Sequence, residues 1–125
     1  MGQAMPPTKH VVLVVEDEPM QRMMAVDLVE DAGYEAVQAM GSNDAVCILE
    51  SRPDIRIVFT DIDMPGGLDG MKLAALIRDR WPPIELIIIS GKRRPSPADL
   101  PKRGVFFSKP YKREEITAAL RRFAA

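Results

Sequence analysis

VVLVVEDEP, residues 11–19, decides the fold: five apolar residues in a row, three acids, then a proline of the kind that opens a helix. An apolar run without polar alternation suits a strand buried on both faces, as in a parallel sheet. The same kind of run recurs at IVF (57–59), LIII (86–89) and VFF (105–107), and the less apolar stretch 34–39 is a fifth candidate strand.

Between the runs lie helical patterns. In 19–32, Met24, Ala25, Leu28, Val29 and Ala32 share one face, with Gly33 placed to take the left-handed C-terminal cap. Ser42 or Asn43 caps a helix through residue 49, and 69–80 turns Leu73, Leu76 and Ile77 inward before Pro82 and Pro83 halt it. In 112–123, Ile116, Ala119, Leu120 and Phe123 repeat at helical spacing. Strand then helix, repeated, implies a doubly wound α/β sandwich. The exception is 91–104, where Pro95, Pro97 and Pro101 leave room for one helical turn at most, around 96–100.

Composition narrows the function. The 125 residues fit one domain, and 17 basic against 18 acidic side chains leave a net charge of −1, which disfavours nucleic acid as the main partner. Hydrophobic residues make up 46% of the chain, enough for a packed core, yet no apolar run approaches a membrane span. Cys47 has no second cysteine to pair with, nothing resembles a secretion signal, and the cytoplasm is the expected compartment. Residues 1–9 are read as a flexible leader and 10–125 as the domain. Charge is uneven: 16–35 hold seven acids and one base, whereas 92–113 hold eight bases and Asp99.

In an open parallel sheet, ligands bind in the crevice at the carboxyl ends of the strands. The polar residues there are Glu16 and Asp17, Asp61, Ser90 and Lys109. Carboxylates meeting in one pocket repel unless a cation joins them, and oxygen ligands without His or Cys favour a hard, partly hydrated ion such as Mg²⁺. With a lysine and a hydroxyl added, such a set can hold and neutralise a phosphoryl group.

The strings VVEDEP (14–19), FTDIDMP (59–65), IISG (88–91) and FSKPY (107–111) resemble, in order and approximate spacing, the four motif regions of response-regulator receiver domains. The resemblance spans about 11–123 and implies a flavodoxin-like sandwich of five parallel strands in the order 2-1-3-4-5, which takes a phosphoryl group from a phosphohistidine. By that resemblance Asp61 is the phosphoacceptor. Asp17 is the direct Mg²⁺ ligand with Glu16 beside it, and Asp63 offers its backbone carbonyl. Ser90 binds a phosphoryl oxygen and Lys109 supplies the ammonium, preceding a peptide bond to Pro110 that is often cis. Phe106 holds the aromatic switch position, moving together with Ser90. The implied partners are a histidine kinase or histidine phosphotransfer protein and a downstream protein, and the only catalysis implied is the domain's own phosphorylation and dephosphorylation.

Two departures matter. The proline-rich 91–104 segment replaces the usual fourth helix, so dimerisation through that face is not expected, and PGGLDG (65–70) is one residue longer than the common turn. Two other readings start from the same residues. FTDIDMP also looks like the Asp-x-Asp loop of haloacid-dehalogenase-like phosphatases, although there the nucleophile strand precedes the acidic pair. The other is an interaction module that is never phosphorylated. Elsewhere, Met20, Met23 and Met24 read as core and helix flank, Cys47 as a buried or half-buried small residue, and His10 as a lone imidazole without a metal role.

Overall fold

The computed structural model describes residues 10–64 and 70–124; the leader 1–9 and residues 65–69 of the PGGLDG turn lie outside the described residues. The elements run β1 (Val11–Val15), α1 (Pro19–Asp31), β2 (Glu35–Ala39), α2 (Ser42–Ser51), β3 (Ile55–Asp61), α3 (Gly70–Arg80), β4 (Glu85–Ser90), β5 (Gly104–Ser108) and α4 (Arg113–Ala124). All strand pairs are parallel, in the order β2-β1-β3-β4-β5. Between β4 and β5 there is a single 3₁₀ turn, Pro97–Asp99, in place of a helix.

Side chains alternate across a strand, and here the two faces feed two cores. Leu13, Val58, Leu86 and Ile88 pack with Ala45 and Leu49 of α2 and Leu73 and Ile77 of α3. Val14, Phe59, Ile87 and Ile89 pack with Leu28 and Val29 of α1 and Ile116 and Leu120 of α4. Ile55 and Ile57 lie two positions apart yet face opposite cores. The register explains it: pairing steps from Val11–Ile55 to Val12–Ile57, a bulge that leaves Arg56 exposed and inverts the facing.

The helix ends follow local chemistry. Glu18 caps α1, its carboxylate accepting from the backbone N–H groups of Met20 (3.2 Å) and Gln21 (2.7 Å). Gly33, at φ 98°, takes the left-handed position after α1. On α3, Leu73, Ala74 and Ile77 are buried while Leu76 is half-buried.

Four expectations need correction. Neither Ser42 nor Asn43 caps α2: the helix begins at Ser42 with Gly41 at its N-cap and no side-chain cap bond. Met24 is 60% exposed, because α1 buries only the narrow stripe Ala25, Leu28 and Val29. Met20 and Met23 are likewise exposed, so none of the three joins the core. Cys47 is also exposed, since α2 turns Ala45 and Leu49 inward instead.

Candidate functional site

Register assembles the site. Val15 pairs with Thr60, Asp61 with Ile89 and Ser90 with Ser108, so Glu16, Asp61, Ser90 and Lys109 end their strands at about one level. Backbone bonds continue the pairing one residue further, from Ile62 N–H to the Ile89 carbonyl (3.0 Å) and from Lys109 N–H to the Ser90 carbonyl (2.9 Å). Glu16, Asp61 and Ser90 are buried at 4%, 3% and 1% exposure, a depth at which polar side chains need partners.

The partners are specific. The Lys109 ammonium lies directly against Asp61 Oδ2 and donates to Gln21 Oε1 at 2.9 Å. The other Asp61 oxygen, Oδ1, accepts from the Asp63 N–H at 2.7 Å, and Glu16 Oε2 accepts from the Glu18 N–H at 3.0 Å. The Lys109–Pro110 bond is cis. A cavity of about 410 Å³ opens beside this cluster, lined by Glu16, Asp61, Lys109, Gln21, Met24 and Tyr111 among others.

Charge is unbalanced in the crevice. Burial, reinforced by Asp61 and Asp17 and opposed by the Glu18 N–H, pushes the Glu16 carboxyl up to about 8. Burial pulls Lys109 down, but the adjoining Asp61 carboxylate, helped by Glu16 and Asp63, holds the ammonium above its usual range. A second cation would relieve the carboxylates. Among the described residues no three His, Cys, Asp or Glu side chains are grouped closely enough to hold a metal ion by themselves; the oxygen donors of Glu16, Asp17 and Asp61 are of the kind a hard ion that keeps several waters takes.

Asp63 adds contacts that the sequence reading did not name. Its carboxylate, not only its backbone, is engaged: Oδ1 accepts from the Ser90 hydroxyl at 2.7 Å, and Oδ2 accepts from the N–H groups of Gly91 (2.7 Å) and Lys92 (3.2 Å). Burial opposes ionisation, yet these donors and the nearby Lys109 hold the Asp63 carboxyl below the ordinary carboxylate range. Asp17 is half-buried and Glu18 exposed. Phe106 in β5 pairs with Ile88 of β4 and rests half-buried against the α2–α3 core, beside the β4–β5 crossover that carries a 3₁₀ turn in place of a helix. It does not line the cavity. Gln21 was not singled out by the sequence; the available signal was a polar residue one turn after the acidic pair.

A sequence model of the response regulator receiver domain matches residues 12–121. The chain belongs to this family. Among curated proteins, this receiver is 31% identical over 118 residues to the nitrogen assimilation regulatory protein NtrX of Azorhizobium caulinodans, covering 90% of this chain and 26% of that protein. It is 33% identical over 116 residues to the sensor kinase CckA of Brucella abortus, covering 88% of this chain and 12% of the kinase. The receiver thus spans about a quarter or less of these relatives. Among solved structures, response regulator TrrA of Thermotoga maritima, in complex with Mg²⁺ and BeF, superposes with a TM-score of 0.81 at 24% identity, covering 93% of this chain and 99% of that one. Receiver domains of this kind therefore occur in both response regulators and sensor kinases of two-component signalling. Among the described residues no helix is long and apolar enough to cross a membrane.

Proposed function

We propose that this receiver takes a phosphoryl group onto Asp61 from the phosphohistidine of a kinase or phosphotransfer protein, acting in the cytoplasm. The observation that carries the reading is the buried Asp61 carboxylate set against the Lys109 ammonium and beside the Glu16 carboxyl. In the transfer, an Asp61 oxygen forms the new P–O bond as the P–N bond breaks, and the electron pair leaves with the imidazole. Lys109 balances charge on the phosphoryl oxygens, and Ser90 supplies a hydroxyl. Glu16, Asp17, Asp61 and the Asp63 carbonyl would hold Mg²⁺, which when bound supplies the positive charge that a phosphoryl transition state gathers. Phe106 is the proposed switch ring, packed at the edge of the α2–α3 core with part of its surface open to solvent. The proline-rich crossover argues against dimerisation through a fourth-helix face.

The chain order of acidic pair before Asp61, within a receiver match over 12–121, sets aside the phosphatase reading. Incubation with Mg²⁺ and acetyl phosphate, followed by intact mass measurement, tests the proposal. One phosphoryl group is expected on the wild type and none on Asp61→Asn. A wild type that stays unmodified would leave only the interaction-module reading.

A further inference from the structure

The geometry points to Asp63 as a built-in resting anion: its carboxylate occupies the donors that would receive the phosphoryl oxygens and must be expelled when Asp61 is loaded. The inference rests on the phosphoacceptor reading above.

The donors come from one short stretch at the end of β4. Ser90 Oγ is 2.7 Å from Asp63 Oδ1, while Gly91 N and Lys92 N are 2.7 and 3.2 Å from Oδ2. Arg93 adds charge, its Nε lying 3.9 Å from Oδ1 and its Nη2 donating to the Ile62 carbonyl at 2.6 Å. A hydroxyl, two adjacent N–H groups and a guanidinium form an oxyanion cradle, and the Asp63 side chain fills it at only 9% exposure. The Asp63 N–H meanwhile donates to Asp61 Oδ1, so the occupying carboxylate and the acceptor carboxylate belong to one tight turn. Two anions cannot share one set of donors. A phosphoryl group on Asp61 therefore competes directly with the Asp63 carboxylate for Ser90 and Gly91.

The competition has a structural consequence. With Asp63 in place, residues 91–93 are tied to the end of β3 through side-chain and backbone bonds on both sides. Expelling Asp63 removes the carboxylate half of that tie, so the basic 92–94 segment is then held only by the Lys92 and Arg93 N–H bonds to Ser90 Oγ (3.1 and 2.8 Å) and by Arg93 on the Ile62 carbonyl, in the same crossover where a 3₁₀ turn stands in place of a helix. The resting state is thus favoured by a contact of the chain with itself, and the phosphoryl group must be held strongly enough to break it.

The test uses the full chain with Mg²⁺ and beryllofluoride as a phosphoryl mimic. Asp63→Ala and Asp63→Asn should bind the mimic more tightly than wild type, by roughly tenfold for Ala, the scale of one charge-assisted hydrogen bond removed from the competitor. Equal or weaker binding by both folded variants overturns the inference while leaving Asp61 as acceptor. If wild type and variants all fail to bind, the phosphoacceptor reading falls and takes this inference with it. A measurement on wild type alone needs no variant to fold: the Asp63 carboxyl carbon resonance should shift in step with the Gly91 amide as the mimic binds. An Asp63 signal that stays fixed while Asp61 is loaded overturns the inference.

Discussion

Gln21 Oε1 accepts a hydrogen bond from Lys109 Nζ at 2.9 Å, joining the first turn of α1 to the end of β5 across 88 positions of chain. Lysine carries a flexible stem with rotatable donors, so a second acceptor beside Asp61 fixes where the ammonium points. Gln21→Ala leaves the Asp61 contact but frees the stem. Phosphorylation by acetyl phosphate is expected to slow about two- to tenfold, the range for one hydrogen bond to a charged group. An unchanged rate, read by intact mass over time, would mean that Asp61 alone positions the lysine.

Gly70 sits against Ile62 so closely that a Cβ placed on it would lie 2.5 Å from the Ile62 Cα and 2.7 Å from its Cβ. No rotamer relieves a clash with backbone. Gly70→Ala must therefore push α3 away from the β3 end or shift Ile62, which lies between Asp61 and Asp63. The expected loss is about 1–3 kcal/mol, with a fall in melting temperature of several degrees. Phosphoryl uptake should fall too at temperatures where the variant remains folded, and an uptake equal to wild type would show that the strain is absorbed in α3.

The sequence made most of the fold legible because burial on both faces erases alternation, so β1, β3 and β4 announce themselves as runs such as VVLVV and LIII. The strand ends then named Glu16, Asp61, Ser90 and Lys109, since a parallel sheet brings all its carboxyl ends to one side. Contacts between distant segments were not legible. Asp63 meets Ser90 across 27 positions, and nothing in FTDIDMP says that its carboxylate turns toward IISG. The inverted facing of Ile55 and Ile57 depends on a bulge that both flanking sequences permit but neither requires. Glu18 reads as another surface acid until its carboxylate is seen bonded to two free N–H groups of α1.

Glu16 makes the metal-free domain sensitive to pH. Its carboxyl is raised from 4.5 to about 8, chiefly by burial, so the folded chain keeps a proton that the unfolded chain loses at lower pH. The contribution is complete below 4.5 and drains away as pH rises to about 8. In EDTA the urea midpoint of wild type should fall across this window relative to that of Glu16→Gln, which has no such proton to lose. Saturating Mg²⁺ should flatten the wild-type curve, because the ion's charge replaces the proton. Parallel midpoints for the two proteins in EDTA would place the Glu16 carboxylate in water.

Arg78, near the end of α3, holds the turn into β4 with both arms of its guanidinium, Nη1 on the Pro82 carbonyl and Nη2 on the Ile84 carbonyl at 2.7 Å. Pro82 and Pro83 have no N–H to donate, so beyond the Ile84 N–H bond to the Trp81 carbonyl (3.0 Å) it is the Arg78 side chain that meets and orients the Pro82 and Ile84 carbonyls. A lysine keeps the charge but presents a point donor, not a planar fork, and cannot bridge the two carbonyls in the same way. Arg78→Lys is expected to lose about 1 kcal/mol and Arg78→Ala about 2 kcal/mol in urea unfolding. Because the turn lies at the amino end of β4, away from Ser90, the phosphorylation endpoint of both folded variants should match wild type. An Arg78→Lys protein as stable as wild type would show that charge, not the fork, holds the turn.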